Sequence, residues 1–293
     1  MESEYFIWHE RPNLVKPYLI LALDGWTNAG QVASAISWYL IGRLKATLFM
    51  EFKSDEFYVY QTSGTESKRP LVNIENGMVQ SLKIVTTNFC YSKDETGRHD
   101  IILVSGPEPD QRWIKYTQLL LDFAREYKVE KIVAIGGIFD SIPHTVPTRI
   151  SGVINDTKLK DEVQRQGIDL INYKGPSSIY TLLMVEAAKV NLPMLSMFAH
   201  IPHYIQVLNF IACYNVMLKL SALLDMKIEL EAARKDSEYL YTQVDQAIEQ
   251  KPELKEYLKT LEVEYRKDRP RSPKPISQNI VKEIEDLLKG NQS

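Results

Sequence analysis

Charged and imidazole side chains follow several strand-like apolar runs in this chain. One run leads into Glu108 and Arg112, and a later run leads into Asp140 and His144. Such groups can bind a polar ligand or move a proton, and an exposed histidine titrates near neutral pH. Glycines and prolines in the same loops allow close approach of the backbone and fix its direction. The two loops are therefore the first candidates for a functional site.

Buried strands and helices must position these loops. Apolar runs of strand length end near four residues, namely Leu23, Val104, Ile135 and Ala199. Helical spacing follows the first two runs, and residues 178–190 form a further predicted helix. Thr27 or Asn28 could cap the helix after the first strand. Strands that alternate with helices predict an α/β fold, here a three-layer α/β/α sandwich with a mostly parallel sheet.

A β-rich stretch lies between the first helix and the Glu108 loop. Its strand-like segments are 47–51, 57–60, 71–74 and 82–87. Polar turns separate them, so the pattern predicts either a meander or strands added at one edge of the sheet.

The loops after the parallel strands predict one candidate crevice. Right-handed crossovers make such strands parallel, and their C-terminal ends then share one edge of the sheet, where ligands bind. The candidate binding residues at this edge are Asp24, Asn28, Glu108, Arg112, Asp140, His144 and His203. This placement predicts a site but no reaction, and no residue is assigned a catalytic role.

Several of these side chains also have a structural interpretation. Asp24 precedes a glycine, as turn residues do. Glu108 could accept N–H groups at the start of a helix over residues 110–127, where the helix dipole favours a negative charge. Arg112 could pair with Glu108 across one turn. His144 could bond to a neighbouring backbone group.

The sequence predicts no metal and no cofactor. His200 and His203 are three residues apart, but no third ligand is adjacent, and a zinc site needs about three protein ligands. The nucleophile elbow, the phosphate-binding loop and the dinucleotide-binding glycine motif are all missing. Cys90 and Cys213 lie in apolar surroundings, as expected of buried thiols rather than a disulfide scaffold.

Composition limits the possible partners. The chain has 293 residues, is 44% hydrophobic and 25% charged, and carries a formal net charge of −3. No basic excess exists to neutralise phosphates, which argues against a nucleic-acid partner. The acidic start is unlike a secretory signal, and no apolar run approaches the ~20 residues that span a bilayer. We therefore expect a cytoplasmic protein without a membrane partner.

The composition changes near residue 225. Residues 229–267 are charged, have helical periodicity and are interrupted at Pro252. Three prolines in 270–275 indicate a linker, and residues 276–289 form a predicted amphipathic helix. The predicted organisation is a core domain over 1–225 and a helical C-terminal extension over 226–293.

The loops together resemble the PAC2 family, which is named after a proteasome assembly chaperone, and point to a bacterial or archaeal type of member. The matching segments are residues 24–30, 106–109 with 112–113, 136–147, 151–153, 175–178 and 200–204. Their order along residues 1–225 makes the resemblance fairly specific. It implies a phosphorylase/hydrolase-like α/β/α sandwich and assembly into homo- or hetero-oligomers.

The resemblance also bears on partners. Some relatives help to build proteasome α-rings, often through a C-terminal tail of a hydrophobic residue, tyrosine and any residue. This sequence ends in residues 289–293, Lys-Gly-Asn-Gln-Ser, so we do not expect proteasome docking by that route.

Two hypotheses for function follow. The first is a non-enzymatic assembly chaperone or protein-interaction module that forms homo-oligomers and contacts itself and other proteins. The alternative is a small-molecule enzyme or ligand binder, hydrolase-like or nucleoside-phosphorylase-like, that uses the crevice at the strand ends.

Overall fold

The computed structural model describes residues 4–53, 56–61, 68–267 and 278–290. The strands are β1 (Phe6–Trp8), β2 (Tyr18–Asp24), β3 (Thr47–Phe52), β4 (Leu71–Glu75), β5 (Met78–Lys83), β6 (Thr87–Ser92), β7 (Ile101–Pro107), β8 (Lys131–Asp140), β9 (Ile150–Ile154), β10 (Asp169–Leu170) and β11 (Met194–Pro202). The helices are α1 (Val32–Arg43), α2 (Trp113–Glu126), α3 (Lys160–Arg165), α4 (Ile179–Lys189), α5 (Phe210–Leu224), α6 (Glu231–Glu249), α7 (Pro252–Arg266) and α8 (Gln278–Gly290).

Nine strands form one sheet in the order β1-β3-β6-β7-β2-β8-β11-β9-β10. The four central strands, from β7 to β11, are parallel. Antiparallel pairs occur on both flanks, where β6 pairs with β7 and β9 pairs with β11. The predicted α/β sandwich with a mostly parallel sheet is confirmed, and its parallel part is the part that carries the candidate loops.

The apolar run of β2 is continuous because both faces of the strand are covered. Leu19 and Leu21 belong to the cluster that packs against α2 and α4. Ile20 and Ala22 belong to the cluster on the opposite face, against α1, α3 and α5. Central parallel strands in such folds are typically apolar throughout for this reason. Two helical layers on one sheet give the predicted three layers.

The β-rich stretch divides between the large sheet and a separate hairpin. β3 and β6 join the sheet, whereas β4 and β5 pair only with each other. The strand predicted at 57–60 is wrong. Phe57 and Tyr58 are buried there as packing side chains, and the Tyr58 hydroxyl donates to the Pro107 carbonyl over 2.9 Å. Their apolar character reflects this packing rather than a ladder of backbone bonds.

The last three helices pack together against the core. Their shared apolar cluster includes Leu240 and Val244 of α6 and Leu261 of α7, and the core contributes Tyr204 and Ile205. α7 begins at Pro252, where a proline fits because the first helical N–H needs no partner. The predicted linker 270–275 lies outside the described residues, and the domain boundary at 225/226 stays a prediction. Among the described residues no helix is both long and apolar enough to cross a membrane.

Candidate functional site

The loops after β2, β7, β8 and β11 meet at one edge of the sheet, because these four strands are parallel. The chain leaves β2 towards β7 and leaves β8 towards β11, in opposite directions along the sheet. The strand order therefore reverses between β2 and β8. In open α/β sheets this reversal leaves a crevice in which ligands bind.

Gly136 and Gly137 let the loop after β2 lie directly on β8. The Gly137 N–H donates to the Thr27 carbonyl over 2.7 Å, and Asn28 forms an isolated parallel bridge with Gly137. A Cβ atom at Gly136 would collide with the Thr27 carbonyl, and one at Gly137 would collide with the Ala29 carbonyl. Both glycines lie inside β8, whereas the sequence predicts a strand that ends at Ile135.

Glu108 joins three elements at this edge. It is 8% exposed, and its carboxylate accepts the Trp26 N–H over 2.8 Å and the Ile179 N–H over 3.0 Å. Ile179 is the first residue of α4. The sequence leaves two interpretations of Glu108 open, a binding role or an acceptor for the helix that starts near residue 110. In the structure its carboxylate accepts an N–H of α4, which lies in the same layer as α2. Charge-assisted bonds of this kind are among the stronger ones in proteins.

Asn28 and Asp24 stabilise the start of α1. The Asn28 side-chain oxygen accepts the Ala33 N–H over 2.8 Å, while its amide donates to Asp24 over 2.7 Å. Asn28 thus binds an N–H of the first turn of α1, although the N-cap position of that helix is Gln31. Arg112 lies apart from Asn28 and Asp24. It forms an ion pair with Glu56 rather than the pair with Glu108 that the sequence offers as one interpretation.

His144 is buried beneath α6, although its loop predicts an exposed histidine. Its Nδ1 lies 2.7 Å from the Tyr204 hydroxyl, and its Nε2 lies 2.9 Å from Asp245 of α6. The backbone N–H of His144 donates to the same hydroxyl. Burial lowers the His144 pKa, and the hydrogen bond and charge of Asp245 oppose that effect only in part. His144 thus connects the core to the C-terminal helices.

His203 makes a second connection of this kind. Its Nδ1 donates to the Asp140 carbonyl over 2.9 Å, and the Tyr257 hydroxyl of α7 lies 3.1 Å from its Nε2. A carbonyl can only accept, so Nδ1 carries the proton and a neutral ring accepts from Tyr257 at Nε2. Burial lowers the His203 pKa as well, against the opposing influence of Asp140.

Asp140 and His200 form a buried pair at the ends of β8 and β11. Asp140 Oδ2 lies 2.7 Å from His200 Nδ1, and its Oδ1 accepts the Ser141 N–H over 2.7 Å. Burial raises the Asp140 pKa, but the bond to His200 and the surrounding charges outweigh it, so the pKa lies below its usual value. The sequence places His200 at the rim of the crevice and considers it as a metal ligand, but it does not count His200 among the candidate binding residues. The signal that could have found it is its position on a strand that neighbours β8.

A cavity of about 1070 Å³ opens beside this pair. Its walls come from the loop after β2, the ends of β8 and β11, β9 with the residues before it, β10, the segment that leads into α4, and Tyr265 of α7. Asp140 is the one residue of the predicted crevice that lines it; Arg149, Asp169 and His200 complete the ionisable groups of the strands around it. The other predicted crevice residues lie at the same edge but contribute to packing, capping and the junction with the C-terminal helices.

The site has no arrangement typical of a metal or a reactive thiol. Within the described ranges, no group of three or more His, Cys, Asp or Glu side chains could hold a metal ion. Burial raises the thiol pKa of Cys90 to about 11 and that of Cys213 to about 12. At neutral pH both thiols therefore stay protonated and poorly nucleophilic.

The fold and its edge define a class: a three-layer α/β protein with an open crevice at a reversal of strand order and C-terminal helices packed beside it. The sequence model of the PAC2 family matches residues 22–248. The chain therefore belongs to the PAC2 family, as its loops predict. A comparison of the sequence with curated proteins gives no match.

Solved structures share this fold. A PAC2 family protein from Streptomyces avermitilis is 29% identical, with a TM-score of 0.73 over 82% of this chain and 99% of that one. A Mycobacterium tuberculosis protein described as a proteasome-assembly chaperone homologue is 23% identical, also with a TM-score of 0.73, over 82% and 99% of the two chains. A Corynebacterium glutamicum protein of unknown function is 23% identical, with a TM-score of 0.80 over 90% and 98%.

Proposed function

We propose that this protein is a non-enzymatic assembly chaperone or protein-interaction module, located in the cytoplasm, that works as a homo-oligomer. The observation that carries the proposal is the hairpin of β4 and β5. Every residue of its two strands is exposed. An isolated two-stranded hairpin is at best marginally stable in water, so packing against another protein surface is needed to stabilise it.

One face of the hairpin is apolar. Val72 pairs with Leu82, and Ile74 pairs with Val79. Val72 and Ile74 are two residues apart on β4 and so share a face. Val79 and Leu82 are three apart on β5, but the register shift between Asn73 and Ile74 inserts one extra residue there, so all four side chains share that face. They expose between 51% and 65% of their surfaces. A contiguous exposed apolar patch that is rimmed by polar residues is typical of a protein interface.

The turn presents this face in a defined register. Asn76 and Gly77 both have positive φ, 52° and 77°. Asn-Gly with two positive φ values is typical of the type I′ turn, whose twist matches that of the paired strands. This turn favours pairing of the two strands, so docking costs less conformational entropy than ordering a flexible loop. We propose that the surface it covers belongs to a second copy of the chain.

Family membership supports this function, since the family takes its name from a proteasome assembly chaperone. The M. tuberculosis neighbour is described as such a homologue, but its 23% identity supports the shared fold only. The two histidines that the sequence places among the crevice residues do not support the enzymatic alternative. Both ring nitrogens of His144 and of His203 are already hydrogen-bonded, so neither histidine is free to act as a base there.

The oligomeric state of the full chain tests the proposal. We expect the wild-type protein to self-associate in light scattering and sedimentation, and Leu82→Asp to weaken the association by about tenfold or more, since it desolvates a charge in the interface. Ser81→Asp is the matched control, because Ser81 is adjacent but lies on the opposite face. A wild-type monomer at micromolar concentration, or equal association of both variants, would contradict the proposal.

A further inference from the structure

A second cavity, of about 490 Å³, lies between α1, α5 and α6, on the face of the sheet that α1, α3 and α5 cover. We propose that it binds a small organic monocation, an ammonium group on an apolar or aromatic body, through the carboxylate of Asp236 and the indole ring of Trp38. The volume suits a small organic molecule. None of its lining residues belongs to the cavity beside Asp140 or to the β4-β5 hairpin.

Three helices form the walls of this cavity. Residues three or four apart share a helix face, and each wall contains such a pair: Ala35 with Trp38 on α1, Cys213 with Met217 on α5, and Ala233 with Asp236 on α6. The short side chains of Ala35 and Ala233 leave space between the helices that longer side chains would fill. The cavity is therefore built from regular elements of the fold.

The floor of the cavity is apolar and uncharged. Cys213, Met217 and Ala233 are buried members of the core cluster on this face of the sheet. Burial raises the pKa of the Cys213 thiol to about 12, so the thiol is uncharged at neutral pH. The Tyr39 hydroxyl is already used, because it donates to the Glu229 carbonyl over 2.8 Å. Such a floor accepts the apolar part of a ligand.

Asp236 gives the cavity its charge. It is the one charged side chain among the described residues that line the cavity. Asp236 is exposed, so a ligand can reach it, and its carboxylate forms no hydrogen bond or ion pair with any described residue. The two basic residues before it are engaged elsewhere, since Arg234 and Lys235 both pair with Glu231. An unpaired carboxylate beside an apolar floor favours a ligand with one positive charge.

Trp38 supplies a second contact for a cation. It lines the cavity but exposes 82% of its surface, and it has no ring or cation contact with another described residue. The face of an aromatic ring attracts cations, and the indole of tryptophan does so best. A ligand that covers Trp38 also removes apolar surface from water. Both Trp38 and Asp236 thus favour a positive charge at the same cavity.

Calorimetric titration of the full chain with phenethylamine and with phenethyl alcohol at pH ~7 tests the proposal. The two compounds have nearly the same shape, but the amine is a cation there, since alkyl ammonium groups titrate near pH ~10. We expect saturable binding of the amine to the wild-type protein, about tenfold tighter than that of the alcohol.

Variants of the two contacts assign this preference to the cavity. Asp236→Asn removes the charge and keeps the shape, so the preference should fall to about threefold, as stacking on Trp38 alone supplies. Asp161→Asn is the matched control, because Asp161 is exposed on α3 and lies outside the cavity. Trp38→Leu should lower the preference about threefold. Trp26→Leu should leave it unchanged, because the equally exposed Trp26 lines the other cavity.

Absence of saturable amine binding, equal wild-type affinities for the two compounds, or a preference that Asp236→Asn and Trp38→Leu leave unchanged would each overturn the proposal. Light scattering identifies a different occupant. Loss of self-association in Trp38→Leu, without saturable amine binding to the wild type, would show that a second copy of the chain covers this cavity, and this too would overturn the proposal. Failure of amine binding leaves the hairpin proposal intact, because the two sites share no residue.

Discussion

The junction around His144 and the cavity around His200 lie at the same edge of the sheet. They differ in whether their buried polar atoms have hydrogen-bond partners. At the junction each ring nitrogen has a partner, and Asp245 of α6 and Tyr257 of α7 supply two of them. At the cavity, Nε2 of His200 has none among the described residues. At the junction the chain itself supplies a hydrogen-bond partner for each ring nitrogen. At the cavity one buried ring nitrogen is left without such a partner.

This difference separates a complete hydrogen-bond network from an incomplete one. A fully bonded buried network rigidifies the contact that it spans, whereas an incomplete one carries an energetic cost. Both regions are built around a buried histidine, although His144 lies in a loop and His200 lies on β11. The two regions differ in how many of their buried ring nitrogens have a hydrogen-bond partner. Variants that change these hydrogen bonds therefore test the difference between the regions.

The largest expected effect is at the junction. His144→Ala leaves Tyr204 and Asp245 without their partner and opens a cavity, so we expect the free energy of unfolding to fall by about 3 kcal/mol. Urea denaturation measures it. Thr242→Ala is the control, because the exposed Thr242 hydroxyl bonds to the Glu238 carbonyl of its own helix, and its loss should change the unfolding free energy by less than about 0.5 kcal/mol. A loss at His144 no larger than at Thr242 would show that the junction is not held by this histidine.

An intermediate effect is expected from pH. The folded-state pKa values of His144 and His203 both lie below the usual 6.5, mainly through burial. The unfolded chain therefore binds more protons below that pH. The stabilisation is fully present above about pH 6.5 and is lost as the pH falls towards the folded-state values. Urea titrations at a series of pH values should show this decline.

A non-titrating variant isolates the histidine contribution to that decline. His144→Gln should flatten the dependence of the unfolding free energy on pH, since its amide does not ionise in this range. Equal slopes for wild type and His144→Gln would contradict the assigned direction of the His144 shift.

The smallest effect is expected on β11, the strand that carries His200. Ser196→Ala replaces a buried hydroxyl that has no described partner, so we expect the unfolding free energy to stay equal or to rise by up to about 1 kcal/mol. Ser221→Ala is the contrast. The Ser221 hydroxyl donates to the Met226 carbonyl over 2.6 Å, and its loss should cost about 1 kcal/mol. Chemical denaturation of both variants measures the difference, and a larger loss at Ser196 than at Ser221 would show that Ser196 has a bonding partner after all.

The fold was more predictable than the site. A continuous apolar run such as 19–23 indicates a strand that is buried on both faces, and this pattern can be recognised from consecutive residues alone. The partners of Glu108 were not predictable, because Ile179 lies 71 positions further along the chain. The strand predicted at 57–60 was wrong because Phe57 and Tyr58 are aromatic, and aromatic side chains also pack into a core from outside a sheet.

Three features follow from the amino-acid sequence without the structure: the alternation of strands and helices, the polar loops after the parallel strands and the membership of the PAC2 family. These depend on periodicity and on residue types at short spacing. Tertiary structure alone decided that His144 is covered, because its partner Asp245 lies 101 residues away on α6. It also decided that His200 borders an open cavity. Burial and hydrogen-bond satisfaction are set by segments distant in the chain, and no local pattern encodes them.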